Sequence, residues 1–291
     1  MTLRIVPRLD IKGPNLVKGI HLEGLRTLGS PAAFASHYYE NGADELIYMD
    51  TVASLYGRNN ILDFVRKTAE DIFIPLTVGG GLSSIADVRR ALRAGADKVA
   101  INTAALADPE LIERASEEFG SSTVIVSIEA IEQSDGTYEA FCENGREATG
   151  RDAVEWTEEA ERRGAGEILV TSVDREGRGE GYDCELTSKI SNRVSIPVIA
   201  CGGAGRPDHL CQAVKQGGAD AVSMASMLHY RLADQRRQEE IETVGARDEG
   251  NLHFLKHGEV PGFIDTSTLP ELKRHVQDAG IDVRHVEGTY D

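Results

Sequence analysis

The stretch FIPLTVGGGLSSIADVRRALRAGADKVAIN (73–102) decides the fold, because a similar stretch, SIPVIACGGAGRPDHLCQAVKQGGADAVSMAS (195–226), follows later in the chain. Each copy has the pattern of an apolar strand, a glycine turn, an amphipathic helix and a second strand. A shorter pair, NGADELIYMD (41–50) and RGAGEILVTS (163–172), repeats at the same spacing of about 122 residues. The sequence therefore predicts two similar halves.

Eight apolar strand candidates alternate with helix patterns along the chain. The candidates are LRIVPRLD, ELIYMD, PLTVGG, KVAIN, TVIVSIEA, EILVTSVD, PVIACGG and AVSMAS. Helix patterns such as SIADVRRALRAG (84–95) and GRDAVEWTEEAERRG (150–164) lie between them. Repeated βα units give a parallel sheet, and eight units predict one closed (β/α)8 barrel, a TIM barrel, as a single domain over 1–291.

The composition excludes several functional classes. The 291 residues are 41% hydrophobic and carry a net charge of −17, which repels nucleic acid and anionic membranes. The sequence has no run of about 18 apolar residues that would span a membrane, no signal-peptide pattern and no CxxC pair among its four cysteines. We expect a reduced, cytoplasmic protein without a metal or other cofactor.

One segment interrupts the alternation. Residues 231–265, RLADQRRQEEIETVGARDEGNLHFLKHGEVPGFID, follow the last strand and precede the final helix, LPELKRHVQDAG. An insertion there lies on the C-terminal face, where barrels carry their active sites. Three interpretations stay open: a surface loop, a lid or docking element for a partner, and disorder without a role.

Two glycine clusters at strand ends, VGGG (78–81) and CGGAG (201–205), predict anion sites. Glycine lets backbone amides approach a phosphate, and the N-terminus of the following helix favours negative charge. Two clusters related by the repeat indicate a ligand with a phosphate at each end, and tight turns that need positive φ are the alternative. Asn102, Thr103 and Ser226 are expected to add hydrogen bonds.

A carboxylate ends the first strand of each half, Asp10 in PRLDIK and Glu129 in VSIEAI. The repeat predicts that the two acids face each other across the barrel mouth, as a general acid and a general base would. Helix caps or salt-bridge partners are the alternative. Lys18 is expected to reach over the mouth from a flexible loop, GPNLVKGI, or else to be a solvated charge.

Charged residues also stand at or near the N-terminal ends of four strands: Arg4, Glu45, Lys98 and Glu167. They predict a ring of charge around the lower opening of the barrel. From position alone this ring is structural, because the bottom face of a barrel more often serves stability.

Long stretches resemble the HisF family, the cyclase subunit of imidazole glycerol phosphate synthase in histidine biosynthesis. They are LDIKGPNLVKG, GADELIYMD, IPLTVGGG, LRAGADKVAIN, GAGEILVTSVDREG, GYDCELT, IPVIACGGAG, GGADAVSMASMLHY and, after a break, LPELKRHVQDAGIDVR. The resemblance implies that a HisH-type glutaminase docks on the N-terminal face and sends ammonia through the barrel. The ammonia reacts with a bis-phosphorylated ribulosyl-formimino aminoimidazole carboxamide nucleotide, giving imidazole glycerol phosphate and aminoimidazole carboxamide ribotide.

The resemblance also implies roles for individual residues. Asp10 and Glu129 match the catalytic acids, and Lys18 matches a lysine of the first loop. One phosphate site matches Gly80, Gly81, Asn102 and Thr103, and the other matches Gly177, Gly202, Gly203, Ala225 and Ser226. The charged ring matches the gate at which ammonia enters the barrel, Arg4, Glu45, Lys98 and Glu167, and this replaces the structural interpretation.

Two residues depart from the family pattern. The second acid is normally an aspartate, and the longer Glu129 displaces the carboxylate by about 1 Å or more, a shift that can cost about a hundredfold in rate. Arg8 stands where the family has a small residue, often cysteine, and alternation turns it toward the barrel interior. A buried arginine needs partners. We therefore expect an Arg8–Glu129–Asp10 cluster that lowers the carboxylate pKa values and narrows the tunnel.

These departures, with residues 231–265, leave a second function open. HisF-like paralogues of surface-polysaccharide synthesis channel ammonia from a HisH-like glutaminase to a sugar amidotransferase, which the insertion would dock. The related isomerase of the histidine pathway shares the two-phosphate barrel but has no use for an ammonia gate. Because both phosphate sites, Asp10 and Lys18 are retained, synthase chemistry is the first expectation.

Overall fold

The computed structural model describes residues 2–51, 61–240 and 263–284. One sheet contains the strands β1 (Arg4–Lys12), β2 (Asn15–Ile20), β3 (Glu23–Gly29), β4 (Leu46–Asp50), β5 (Leu76–Gly79), β6 (Lys98–Ile101), β7 (Val124–Glu132), β8 (Tyr138–Cys142), β9 (Glu147–Asp152), β10 (Glu167–Ser172), β11 (Val198–Cys201) and β12 (Ala221–Met224). Eight of them are parallel and close into a barrel in the order β1, β4, β5, β6, β7, β10, β11, β12. The pairing of Arg4 on β1 with Ala221 on β12 completes the ring. The predicted (β/α)8 barrel is confirmed.

Helices lie outside the barrel and pack their apolar faces on it. In the described part of the chain they are α1 (Pro31–Glu40), α2 (Ile61–Asp71), α3 (Ile85–Arg93), α4 (Thr103–Ala107), α5 (Glu110–Phe119), α6 (Ala153–Arg162), α7 (Cys184–Ser191), α8 (Pro207–Lys215), α9 (Ser226–Glu240) and α10 (Leu269–Asp278). The helix predicted over 150–164 begins only at Ala153, because Asp152 ends β9 and caps the helix by accepting the N–H groups of Val154 and Glu155.

Two antiparallel hairpins rise from the mouth of the barrel, and the sequence did not predict them. The hairpin β2–β3 continues from β1, and β8–β9 continues from β7 at the equivalent place in the second half. Both turns contain two residues in the left-handed region, His21 (φ 50°) with Leu22 (φ 61°) and Glu143 (φ 51°) with Asn144 (φ 61°). The expectation of a flexible loop around Lys18 is wrong, since this stretch is β2.

An apolar layer fills the barrel below its mouth. It consists of Val6, Ile47, Met49, Ala100, Ile125, Leu169, Ile199, Cys201 and Ala221. The same strands carry Arg4 and Glu167 below this layer and Asp10 and Glu129 above it. The layer therefore separates two polar regions of the molecule. All four cysteines, Cys142, Cys184, Cys201 and Cys211, are free thiols.

The segment 231–265 is described only at its two ends. Residues 231–240 continue α9, and residues 241–262 lie outside the described residues. After this segment, α10 begins with a capping box formed by Thr268 and Glu271. In the ranges that the structure describes, no helix has both the length and the apolar character needed to cross a membrane.

Candidate active site

Asp10 and Glu129 stand on opposite walls of the barrel mouth, as the repeat predicts. Four steps around the ring separate β1 from β7 in either direction, and both side chains are buried. Arg8 points into the barrel and donates from Nε to Asp10 Oδ1 at 2.8 Å. Its Nη1 donates to Thr171 Oγ1 on β10 at 3.3 Å, so the guanidinium crosses the interior. Among the described residues no ion pair joins Arg8 to Glu129.

The predicted effect on the carboxylates is wrong for Glu129. Burial raises the pKa of Glu129 to about 7, and the positive charge of Arg8 and a hydrogen bond from the Gly145 N–H offset only part of that rise. The carboxyl is buried at the mouth, no cation in the described part of the chain pairs with it directly, and desolvation favours its neutral form. Glu129 therefore gains and loses its proton near neutral pH.

Lys18 is not a solvated charge on a loop. It lies in β2, is buried, forms an ion pair with Glu176, and donates from Nζ to the Gly19 carbonyl at 3.1 Å. Burial alone would lower the pKa of Lys18, but the negative charges of Glu176 and then Asp10 raise it above its usual value. The lysine thus remains charged near the acid pair. Sequence reasoning missed Glu176, although it stands next to the glycine of the matched stretch DREG.

The first glycine cluster lines an open cleft of about 270 Å³ at the mouth. Gly80 has φ 92°, and a side chain there would come within 2.2 Å of the Asp50 carbonyl oxygen. The turn therefore needs glycine for steric reasons as well as offering amides to an anion. Gly81, Asn102, Thr103 and Glu129 line the same cleft, so the structure brings the predicted group together.

The polar side chains of this cleft also hold the second hairpin. Asn102 Nδ2 donates to the Phe141 carbonyl at 3.3 Å, and Thr103 Oγ1 accepts the Glu143 N–H at 3.1 Å. The Oδ1 atom of Asn102 is buried and has no hydrogen-bond partner in the described part of the chain. These two residues therefore connect the wall of the cleft to the hairpin above it.

The second glycine cluster lines a much smaller cavity of about 20 Å³. A side chain at Gly203 would come within 2.1 Å of the Gly181 carbonyl oxygen. Helix α9 begins at the edge of this cavity, where its free N–H groups favour an anion. The predicted residues meet here with Arg8 and Asp10: Gly177, Gly202, Gly203, Ala225 and Ser226.

The four charged residues at the bottom of the barrel form a closed ring. Arg4 Nη1 contacts Glu45 Oε1 at 2.8 Å, and Arg4 also pairs with Glu167. Lys98 Nζ lies 3.0 Å from both Glu45 Oε2 and Glu167 Oε2. Each acid thus has two cationic partners. Arg4, Lys98 and Glu167 also line a depression of about 330 Å³ on the bottom face.

A buried histidine that sequence reasoning missed fixes the backbone of β1. His229 Nε2 lies 2.8 Å from the Arg8 carbonyl oxygen, and its Nδ1 lies 2.7 Å from Tyr38 Oη. A carbonyl can only accept, so Nε2 carries the proton and Nδ1 accepts the tyrosine hydroxyl. Burial lowers the pKa of His229 to about 4, so the ring is neutral. The matched stretch MLHY contained it, but one histidine carries little signal.

These features define a (β/α)8-barrel protein with its polar site at the carboxyl ends of the strands. A family model described as "Histidine biosynthesis protein" matches residues 4–234. The chain is 58% identical over 204 residues to the imidazole glycerol phosphate synthase subunit HisF of Legionella pneumophila, covering 70% of this chain and 96% of the relative. It belongs to the histidine biosynthesis family and, within it, to the HisF group.

Archaeal relatives give the same result over longer stretches. The subunit HisF of Methanopyrus kandleri is 48% identical over 245 residues, which is 78% of this chain and 90% of the relative. The subunit HisF of Methanocaldococcus jannaschii is 48% identical over 250 residues, covering 79% and 92%. These matches include both halves of the barrel.

Proposed function

We propose that the chain is the cyclase subunit of imidazole glycerol phosphate synthase, a lyase of histidine biosynthesis. The observation that carries this proposal is the placement of Asp10 and Glu129 on opposite walls of a mouth that has a glycine-lined cavity on each side. The HisF relatives bear the name of this enzyme. The substrate is the bis-phosphorylated ribulosyl-formimino aminoimidazole carboxamide nucleotide, with one phosphate at each cavity.

The two carboxyls have different environments and therefore different roles. Glu129, with a pKa raised to about 7, supplies a proton as general acid. Asp10 accepts a hydrogen bond from Arg8 Nε at 2.8 Å and serves as general base. Lys18 places a positive charge close to Asp10 when its ion pair with Glu176 is formed. Glu129 thereby performs the work of the shorter family aspartate.

Ammonia reaches this site from a HisH-type glutaminase bound to the bottom face. The closed ring formed by Arg4, Glu45, Lys98 and Glu167 is the gate, since it lies across the lower opening of the barrel. The guanidinium of Arg8 narrows the passage above the apolar layer. Residues 231–265 remain a candidate docking element for an acceptor enzyme on the opposite face.

The test supplies the purified chain with the bis-phosphorylated nucleotide and a high ammonium concentration. We expect turnover to imidazole glycerol phosphate, and a loss of at least about a hundredfold in Asp10→Asn, a typical contribution of an acid–base residue. Asp97→Asn is the matched control, because Asp97 accepts the Leu76 N–H at 2.8 Å at the end of the barrel opposite the mouth.

Two outcomes would contradict the proposal. Turnover that is unchanged in Asp10→Asn would remove the acid pair from the mechanism. If the parent chain neither turns over nor binds the nucleotide, the result favours the ammonia-channelling paralogue, in which the barrel passes ammonia to a sugar amidotransferase.

A further inference from the structure

Glu129 contacts a residue that lies outside the barrel wall. Its Oε2 accepts a hydrogen bond from the backbone N–H of Gly145 at 2.7 Å. Gly145 lies in the turn between β8 and β9, where the N–H of Glu143 is also held by Thr103. The carboxyl under the mouth and the turn above it are therefore joined directly.

The same turn reaches the equivalent turn of the first half. Asn144 Nδ2 donates to the Leu22 carbonyl at 3.2 Å, and Arg146 Nε contacts Glu23 Oε1 at 2.7 Å. We name the two turns, His21–Gly24 and Glu143–Arg146, the mouth cover. They meet above the mouth of the barrel, so hydrogen bonds run from Glu129 through the second turn to the first.

The mouth cover needs such contacts because its backbone is strained. Leu22 and Asn144 each have φ 61°, and His21 and Glu143 are also in the left-handed region. Residues other than glycine seldom adopt this conformation, and it persists where surrounding contacts hold it. Leu22 is buried and packs close to Gly145, where an added Cβ would lie 3.4 Å from it. Holding Gly145 therefore stabilises both turns.

We propose that Glu129 is a positioning residue of the mouth cover in addition to being the acid beneath it. Its length is the reason: an aspartate would shorten the side chain by about 1.5 Å, one carbon–carbon bond. The contact with Gly145 would then exceed the hydrogen-bond limit of about 3.2 Å. Only the statement that the mouth cover encloses a reaction rests on the proposed function. The contact between Glu129 and Gly145 can be tested without any activity.

Two variants separate the length of residue 129 from its acidity. Glu129→Asp keeps a carboxyl and loses the reach, whereas Glu129→Gln keeps the reach with a carbonyl acceptor and loses the acid. Amide hydrogen exchange of the full chain is the measurement. We expect Glu129→Asp to speed exchange at Gly145 and in the mouth cover by about tenfold, because a hydrogen bond to a buried carboxyl is lost. Glu129→Gln keeps the parent protection.

A matched control lies in the same hairpin. Glu139 Oε1 accepts the Gly150 N–H at 2.7 Å near the other end of β8–β9. Glu139→Asp is therefore the same substitution on the same kind of contact, and its effect should stay local to Gly150. Asn144→Gly removes one of the two contacts between the turns and tolerates φ 61°, so exchange should rise at His21–Gly24 while Gly145 stays protected.

Parent-like protection of the mouth cover in Glu129→Asp would overturn the proposal, as would equal loss of protection in Glu129→Gln. The readout needs no substrate, so it is separate from the ammonium assay. Exchange as expected with no cyclase turnover would leave the mouth cover established and remove the proposed function. Turnover with unchanged exchange would support the proposed function and overturn the positioning role of Glu129.

Discussion

At the scale of the residue, the most unusual group in the mouth of this barrel is the buried cation of Arg8. Arg8 bonds to Asp10 on its own strand and to Thr171 three strands away, and its carbonyl holds His229. The alternation of side chains along β1 predicted its inward direction, and that prediction is confirmed. Its preference for Asp10 over Glu129 was not predictable, because it depends on which strand wall the guanidinium reaches.

The raised pKa of Glu129 has a consequence for stability. The pKa is about 7 in the folded chain against an ordinary 4.5, so in this window the folded chain keeps a proton that the unfolded chain loses. Stability therefore falls as the pH rises through the window, by up to about 3 kcal/mol. We expect Glu129→Gln, which cannot ionise, to abolish that fall and to be more stable than the parent above about pH 7.

Urea unfolding between about pH 5 and about pH 8 checks this expectation. The only tryptophan, Trp156, is buried beside Arg151 and reports unfolding by its fluorescence. The control is Glu132→Gln on the same strand, because Glu132 is exposed. An equal pH dependence in the parent and Glu129→Gln would show that Glu129 ionises normally.

At the scale of the element, the helix caps show how much stability depends on what surrounds a cap. Asp183 Oδ1 accepts the Leu186 N–H at 2.9 Å at the start of α7, and its carboxyl also accepts the Tyr138 hydroxyl at 3.2 Å. Asp183→Ala leaves two buried donors unpaired, so we expect a loss of about 2 kcal/mol in the free energy of unfolding.

Asp152→Ala is the comparison for this prediction. It removes the cap of α6, which is more exposed, and should cost about 1 kcal/mol. Denaturant unfolding of both variants gives the two values. A smaller loss in Asp183→Ala than in Asp152→Ala would mean that water replaces the lost acceptor around Tyr138.

The two hairpins are the part of the fold that was not predicted from the sequence. Helices and barrel strands follow from repeated apolar periodicity, whereas the hairpin segments 15–29 and 138–152 have no regular pattern of this kind. The second turn carries a signal, the Asn-Gly pair of ENGR at Asn144, which favours a hairpin. The first has His21 and Leu22 at the matching positions, where no propensity predicts positive φ. The contact of Glu129 with Gly145 depends on that unseen turn.

At the scale of the whole molecule, the proposed gate predicts different behaviour for ammonia from a glutaminase and for ammonium added to the solution. Lys98 makes two of the four ion pairs that close it. We expect Lys98→Met to lower glutamine-dependent turnover by about tenfold, equivalent to about 1.4 kcal/mol, in the complex with a HisH-type glutaminase. Turnover with added ammonium should be retained, because under the proposed function added ammonium reaches the site from the mouth without passing the ring.

The ratio of the two activities is the measurement. Lys189→Met is the control, since Lys189 pairs with Glu185 on the outside of the barrel. An equal decrease of both activities would indicate that Lys98 supports the fold and does not gate ammonia.

The barrel closes at two equivalent seams. One is the pairing of β12 with β1, and the other is the pairing of β6 with β7, where Val99 lies beside Val124. A chain that ended after β6 would therefore present two bare sheet edges, and the surface that complements them is the other half of the same architecture. A second copy of the fragment would offer such edges, and the intact molecule is in this sense a dimer of half-barrels joined in a single chain.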